Sequence, residues 1–329
     1  MKKVAINGFG RIGRASLKVI MDTPDLEIVA INDLLTIENA AYLLKYDSVY
    51  GIYNKEVSIN NNFLQVGDKK ISYLSIKNPS DLPWKNLGVD TVIESTGFFT
   101  NREDAEKHIH AGAKQVVISG PTKSIDTPTV VHGVNTQDGK VAIFSCASCT
   151  TNNISPVIEI IGRRIGIKKA ILNTIHAYTA SQSLVDGPSN KKPRMGRAAA
   201  MNLVPASTGA AIATVKTLPQ YEGKFDGVAI RTPVVVGSIS DITFVTEKKT
   251  SAEEINNILK EEALTDRYKK VIAVSNEPLV STDIIQNAFA STIDMEMTRV
   301  VDGDLCKIMA WYDNEWGFTN QMIRQILEN

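Results

Sequence analysis

A chain of 329 residues with 43% hydrophobic and 22% charged side chains can bury ordinary globular cores, and its length suggests about two domains. Lys and Arg total 36, as do Asp and Glu, so the overall charge favours neither a nucleic acid nor a membrane surface as main partner. Three cysteines are too few for a disulfide framework, and no apolar run approaches the ~18 residues that span a bilayer, so the expected address is the reducing cytosol.

The apolar start is broken by Asn7, Gly8 and Gly10, so no signal-peptide core is expected. Lys3–Asn7 reads as a short strand, Arg11–Asp22 as a helix and Leu26–Asn32 as a second strand. Thr91–Glu94 and Val116–Ser119 read as buried strands with a helix, Arg102–Ala111, between them. Strands alternating with helices predict a Rossmann-type, doubly wound parallel sheet. After Cys149 the pattern changes. Ala170–Ala177, Gly227–Val236, Ile239–Glu247 and Leu305–Trp311 are long strand-like segments, which predict an α+β domain with a mostly antiparallel sheet. Ser181–Arg197 lacks periodicity and reads as a long loop, and Phe318–Leu327 as a closing helix. The expected division is residues 1–148 with a C-terminal helix at 313–329, and residues 149–312.

Gly8-Phe9-Gly10-Arg11-Ile12-Gly13 fits G-x-G-x-x-G, after a strand and at the start of a helix. The first glycine permits a tight turn, the second lets the backbone approach a pyrophosphate, and the third allows close helix packing. The helix N-terminus offers unpaired N–H groups and partial positive charge. Asp33 follows Gly13 by 20 residues, at the end of the second strand, where a carboxylate accepts from ribose hydroxyls and repels a 2′-phosphate. The plain alternative is a glycine-rich turn with a surface Asp.

Ser148 is a candidate N-cap for an apolar helix, Ile154–Ile165, although Pro156 could kink that helix or delay its start. Cys149 would then sit at the helix N-terminus, where the dipole lowers a thiol pKa. His176, on the next strand-like segment, could act as its base. Each residue alone is more often structural than catalytic. Cys146 and Cys149 also form a C-x-x-C, but only Cys306 remains to complete a zinc site, so no metal is expected. A redox dithiol stays open.

Three runs carry a family resemblance: NGFGRIGR (7–14), SCASCTTNNISP (145–156) and WYDNEWG (311–317). Together with Asn32-Asp33, KYDSVYG (45–51), STGFFT (95–100), VDGPS (185–189) and PASTGAA (205–211), they closely resemble phosphorylating glyceraldehyde-3-phosphate dehydrogenase, in order along the chain. The resemblance implies NAD as cofactor, glyceraldehyde 3-phosphate and inorganic phosphate as reactants, and a homotetramer. It makes Cys149 the nucleophile and His176 the base. Thr179, Ser181 and Arg231 would hold the substrate phosphate. Ser148, Thr150, Thr208 and Gly209 would hold the attacking phosphate, with Arg197 lending charge nearby. Asn314 would bind the nicotinamide carboxamide. Phe9, Gly10, Arg11, Ile12 and Asp33 would contact the rest of NAD, with Ser95, Thr96 and Ser119 as further contacts.

Departures from the family pattern accompany it. Cys146 stands where Asn is common, Asn153 where Cys is common, Ser181 where Thr is usual and Phe318 where Tyr is usual, and the Asn190–Arg197 loop is atypical. Cys146 is therefore expected to pair with Cys149 under mild oxidant. The competing readings are a thioester-hydrolysing erythrose-4-phosphate dehydrogenase and a thiol redox sensor on the same fold.

Overall fold

The computed structural model describes residues 1–135, 141–189 and 192–328. It divides into two compact units. The first gathers Met1–Val130, residues 141–147 and the chain from Met322 onward, and the second gathers residues 131–135 and Ser148–Gln321.

The first unit is built on an eight-stranded sheet. Its spatial order is Ile143–Ser145, Gln115–Ile118, Thr91–Glu94, Lys2–Asn7, Leu26–Asn32, Lys69–Leu74, Phe63–Val66 and Val57–Asn60. The first six strands run parallel, and the last two join antiparallel. Strands covered on both faces are uniformly apolar, and Val4–Ile6, Val92–Ile93 and Val116–Ile118 are all buried. One core cluster joins Ala5, Ala30 and Val92 to Trp84, whose ring is fully enclosed. Strand order reverses beside Lys2–Asn7, and such a switch point opens a crevice at the carboxyl ends of the strands.

Two glycines set the turn there. Gly8 has φ +97°, a region that favours glycine. A Cβ on Gly13 would lie 2.1 Å from the Gly8 carbonyl oxygen, so the helix Arg11–Ile20 can start where it does only with glycine at that position.

The second unit holds a seven-stranded sheet in the order Val204–Ser207, Phe225–Thr232, Ile167–Ala177, Ser238–Thr246, Leu305–Tyr312, Ser291–Val301 and Ile272–Ser275. Four of its six junctions are antiparallel; Ile167–Ala177 with Phe225–Thr232, and Ile272–Ser275 with Ser291–Val301, are parallel. Ser238–Thr246 alternates strictly between buried and half-buried side chains, the pattern of a sheet with one covered face. The helix Cys149–Arg164 is the centre of this unit. Every residue from Thr150 to Ile158 is buried, and each enclosed Ile or Val contributes roughly 1.5–3 kcal/mol. Pro156 lies inside the helix without ending it or delaying its start.

The anticipated strand Gly227–Val236 is found as Phe225–Thr232. Pro233 has no N–H for the ladder, and Val234 N turns back onto the Thr232 carbonyl at 2.8 Å. Within the Ser181–Arg197 loop, Pro193–Gly196 forms a 3₁₀ turn, and residues 190 and 191 lie outside the described residues. Among the described residues, no helix is long and apolar enough to cross a membrane.

The contact at Gly13 yields a test. Gly13→Ala places a methyl against backbone, and overpacking of this kind costs about 1–3 kcal/mol. Urea unfolding followed by circular dichroism should show that loss. An unchanged midpoint would refute the tight contact.

Candidate active site

Cys149 occupies the first position of its helix because Ser148 caps it. The Ser148 hydroxyl accepts from Thr151 N at 3.0 Å and meets Thr151 Oγ1 at 2.8 Å. His176 comes from the adjoining strand, and its Nε2 lies 3.4 Å from Cys149 Sγ. The parallel register of the two strands sets His176 directly beside Arg231.

Nδ1 of His176 has two neighbours, the Ala177 carbonyl oxygen at 2.7 Å and Arg231 Nη1 at 2.8 Å. The carbonyl can only accept and the guanidinium can only donate; with the Cys149 thiol as donor at Nε2, the ring proton is assigned to Nδ1, and Nδ1–H and Arg231 Nη1, at 3.0 Å, both donate to the Ala177 carbonyl. This tautomer leaves the Nε2 lone pair facing the thiol. Burial and the Arg231 charge push the imidazole down to about 4. Burial also pushes the Cys149 thiol up, against the pull of Arg231 and of the N–H groups at the helix start. The helix end, expected from the sequence to lower this thiol pKa, is outweighed by desolvation for the thiol ionising alone. Moving the proton from Sγ to Nε2 creates both charges together, 3.4 Å apart, so the two groups titrate as one unit.

Tyr312 was not anticipated, although it lies inside the WYDNEWG run. Its hydroxyl bridges Thr150 Oγ1 and Thr174 Oγ1, both at 2.9 Å, and its ring meets His176 edge-on. The Thr150 hydroxyl is therefore buried and engaged. Thr179 and Ser181 follow the His176 strand, with their hydroxyls 2.9 Å apart. Thr208 Oγ1 accepts from Ala210 N at 3.1 Å, and Gly209 is the N-cap of the helix Ala210–Thr217, with open space where a Cβ would be. Arg231 Nε is buried with no partner among the described residues. Arg197 instead pairs with Asp186 at 2.9 Å on the surface. Asn314 Oδ1 accepts from Gly237 N and Ser238 Oγ, and no described residue accepts from its amide nitrogen. Cys146 is in no disulfide and is buried, its thiol pushed far up by desolvation, which makes it a poor attacking group for the anticipated disulfide.

In the first unit, a cleft of about 570 Å³ opens at the strand ends, bordered by Gly8, Gly10, Asp33, Ser95 and Thr96. Asn7, Asn32, Lys77 and Phe98 also line it and were not anticipated; an Asn ending each of two apolar strands was the available signal. The Asp33 carboxylate accepts from Phe9 N at 2.5 Å and Leu35 N at 2.9 Å, which fixes it at the cleft edge. Gly10 has open space where a Cβ would stand, and the first intrahelical bond is Arg14 N to the Gly10 carbonyl at 3.0 Å. The preceding N–H groups thus lack intrahelical acceptors, as an anion site requires. Phe9, Arg11, Ile12, Gly13 and Ser119 do not line the cleft. Phe9 is enclosed in the core, and Arg11 pairs with Asp47 at 2.7 Å.

A dinucleotide cleft on a parallel sheet, joined in one chain to a paired thiol and imidazole, defines an NAD-dependent dehydrogenase. Two family models match: glyceraldehyde 3-phosphate dehydrogenase NAD binding domain over residues 2–102, and its C-terminal domain over 148–314. The glyceraldehyde-3-phosphate dehydrogenase of Thermotoga maritima is 47% identical over 98% of this chain and 97% of its own length. Those of Zymomonas mobilis and Geobacillus stearothermophilus are 45% and 44% identical, each over 98% of this chain and 96% of their own length. The chain belongs to the glyceraldehyde-3-phosphate dehydrogenase family; its cofactor is NAD and its activity is the oxidation of that aldehyde.

The shared proton yields a prediction. His176→Gln removes the acceptor facing Sγ, so alkylation of Cys149 by iodoacetamide at pH 7 should slow by about tenfold or more. An unchanged rate would mean that the imidazole does not activate the thiol.

Proposed function

We propose that the chain catalyses the phosphorylating oxidation of D-glyceraldehyde 3-phosphate to 1,3-bisphosphoglycerate through Cys149. The observation that carries this reading is Cys149 Sγ at a capped helix N-terminus, 3.4 Å from the basic nitrogen of His176. His176 Nε2 takes the thiol proton, and the thiolate adds to the aldehyde carbon to give a hemithioacetal. Its oxyanion takes up that proton as it forms. NAD, when bound, supplies the hydride acceptor. His176 Nε2 removes the hemithioacetal hydroxyl proton as hydride leaves carbon, and a thioester remains on Sγ. Inorganic phosphate attacks the thioester carbonyl, the C–S bond breaks, and the thiolate returns with an acyl phosphate as product. His176 in its protonated state stabilises charge on the oxygen during this step.

Two anion sites serve these steps. Arg231, with its unpartnered Nε, and the Thr179 and Ser181 hydroxyls suit the substrate phosphate. Ser148, Thr150, Thr208 and the Gly209 backbone suit the attacking phosphate, and the open space at Gly209 supports close approach of an anion to the helix start. Arg197, tied to Asp186, has the weakest claim to a role. Asn314 would take the nicotinamide carboxamide. A homotetramer is supported by exposed apolar side chains in the second unit, among them Ile171, Val228, Met201, Leu203, Leu184 and Val185. Cysteines outside any disulfide suit the cytosol.

NADH formation from the aldehyde should depend on phosphate and fall by about 10³-fold or more in Cys149→Ser. Phosphate-independent turnover to the free acid would overturn the phosphorylating reading in favour of thioester hydrolysis. The fixed Asp33 carboxylate also predicts kcat/KM for NAD at least about 100-fold above that for NADP; equal values would refute it.

A further inference from the structure

The floor of the nucleotide cleft rests on a buried carboxylate that the chemistry above does not use. Glu94 ends its strand in register with Asn7, and Asn7 is in register with Asn32 on the next strand. The side chains of Glu94 and His108 are completely buried. Glu94 Oε1 accepts from Thr96 N at 2.8 Å and from the Thr96 hydroxyl. Oε2 accepts from Asn7 Nδ2 at 2.5 Å and faces His108 Nε2 at 3.1 Å. On the far side of the ring, Trp84 Nε1 meets His108 Nδ1 at 2.9 Å.

An indole N–H can only donate. Nδ1 of His108 must therefore accept, and the ring proton sits on Nε2, directed at Glu94. The carboxylate in turn can only accept, so it turns the Asn7 amide to present NH₂. The Asn7 oxygen then faces Asn32 Nδ2, from which it accepts at 2.7 Å. The Asn32 oxygen is left to accept from Ile76 N at 2.9 Å. The polarity of each bond follows from the one before it, from Trp84 to the Ile76 backbone. Asn7, Asn32, Ile76 and Thr96 all line the cleft. Thr96 also supports the glycine turn, because a Cβ on Gly8 would fall 2.5 Å from Thr96 N. Beside it, Ser95 Oγ donates to the Gly8 carbonyl at 2.7 Å.

We propose that Glu94, with His108 held in one tautomer by Trp84, is a positioning residue for NAD: it fixes the amide orientation of Asn7 and Asn32 and the contact of Thr96 with Gly8. It touches no cofactor atom itself. Its effect belongs to cofactor affinity and not to the Cys149 chemistry.

Glu94→Gln keeps the shape but lets either end of the new amide face Asn7 and His108, so both asparagines lose their imposed direction. Calorimetric titration of the whole protein with NAD should give a Kd raised by about tenfold. At saturating NAD, kcat should stay within about threefold of wild type, with the KM for the aldehyde unchanged. Amide hydrogen exchange at Thr96 should accelerate. A folded Glu94→Gln protein with unaltered NAD affinity overturns the proposal, and so does a loss in which kcat and both KM values worsen together, as general damage to the fold would produce. If Glu94→Gln does not fold, Trp84→Phe retains the carboxylate and frees only the imidazole tautomer. It should raise the Kd for NAD by about threefold, and an unchanged Kd would equally overturn the proposal.

Discussion

The start of the helix Cys149–Arg164 is the constraint on which the thiol-bearing unit of this protein depends. With about 3.6 residues per turn, moving that start by one residue would swing the thiol by about 100° around the axis. The start is fixed from both sides. Ser148 supplies the cap. Before it, Ala147 takes φ +59°, a left-handed conformation that is costly for a residue with a Cβ. Its N–H donates to Ser145 Oγ at 3.0 Å, and that hydroxyl donates to the Gly120 carbonyl at 2.7 Å. The strain is held by these hydrogen bonds, and burial of the helix from Thr150 to Ile158 keeps the end from fraying.

The parallel pairing that sets Arg231 beside His176 is the second device. A guanidinium there does two things at once. Its charge discourages a second proton on the resting imidazole, and its Nη1 competes for the Ala177 carbonyl that orients the ring. A lysine would supply the charge without the planar fork, one arm of which meets the Ala177 carbonyl while Nε stays unpartnered among the described residues. The same side chain therefore orients the imidazole and sets its charge state.

Much of this was legible in the sequence. The strands Leu26–Asn32 and Thr91–Glu94 end where the apolar runs end, because parallel strands buried on both faces leave little ambiguity. The glycine turn and the Ser148 cap were visible because backbone geometry restricts those residue types. Other features were hidden because they depend on partners distant in sequence. Tyr312 reads as an ordinary buried aromatic until Thr150 and Thr174 are brought to its hydroxyl. Glu94 reads as a polar residue at a strand end, and nothing local announces Trp84 or His108. The upward shift of the Cys149 thiol is hidden from sequence for a related reason. A helix terminus is visible in sequence, whereas the desolvation opposing it comes from the whole surrounding core.

The division of the chain carries a consequence for how the protein is made. The nucleotide-binding unit begins at Met1 but also includes the chain from Met322 onward, where the Ile326 carbonyl accepts from Lys2 Nζ at 2.6 Å. The second unit extends no further than Gln321. On a ribosome, the unit whose first strand emerges earliest is therefore the last to be completed. Its sheet strands all precede residue 146, so the sheet can form early, and what arrives last is the segment that accepts the Lys2 ammonium.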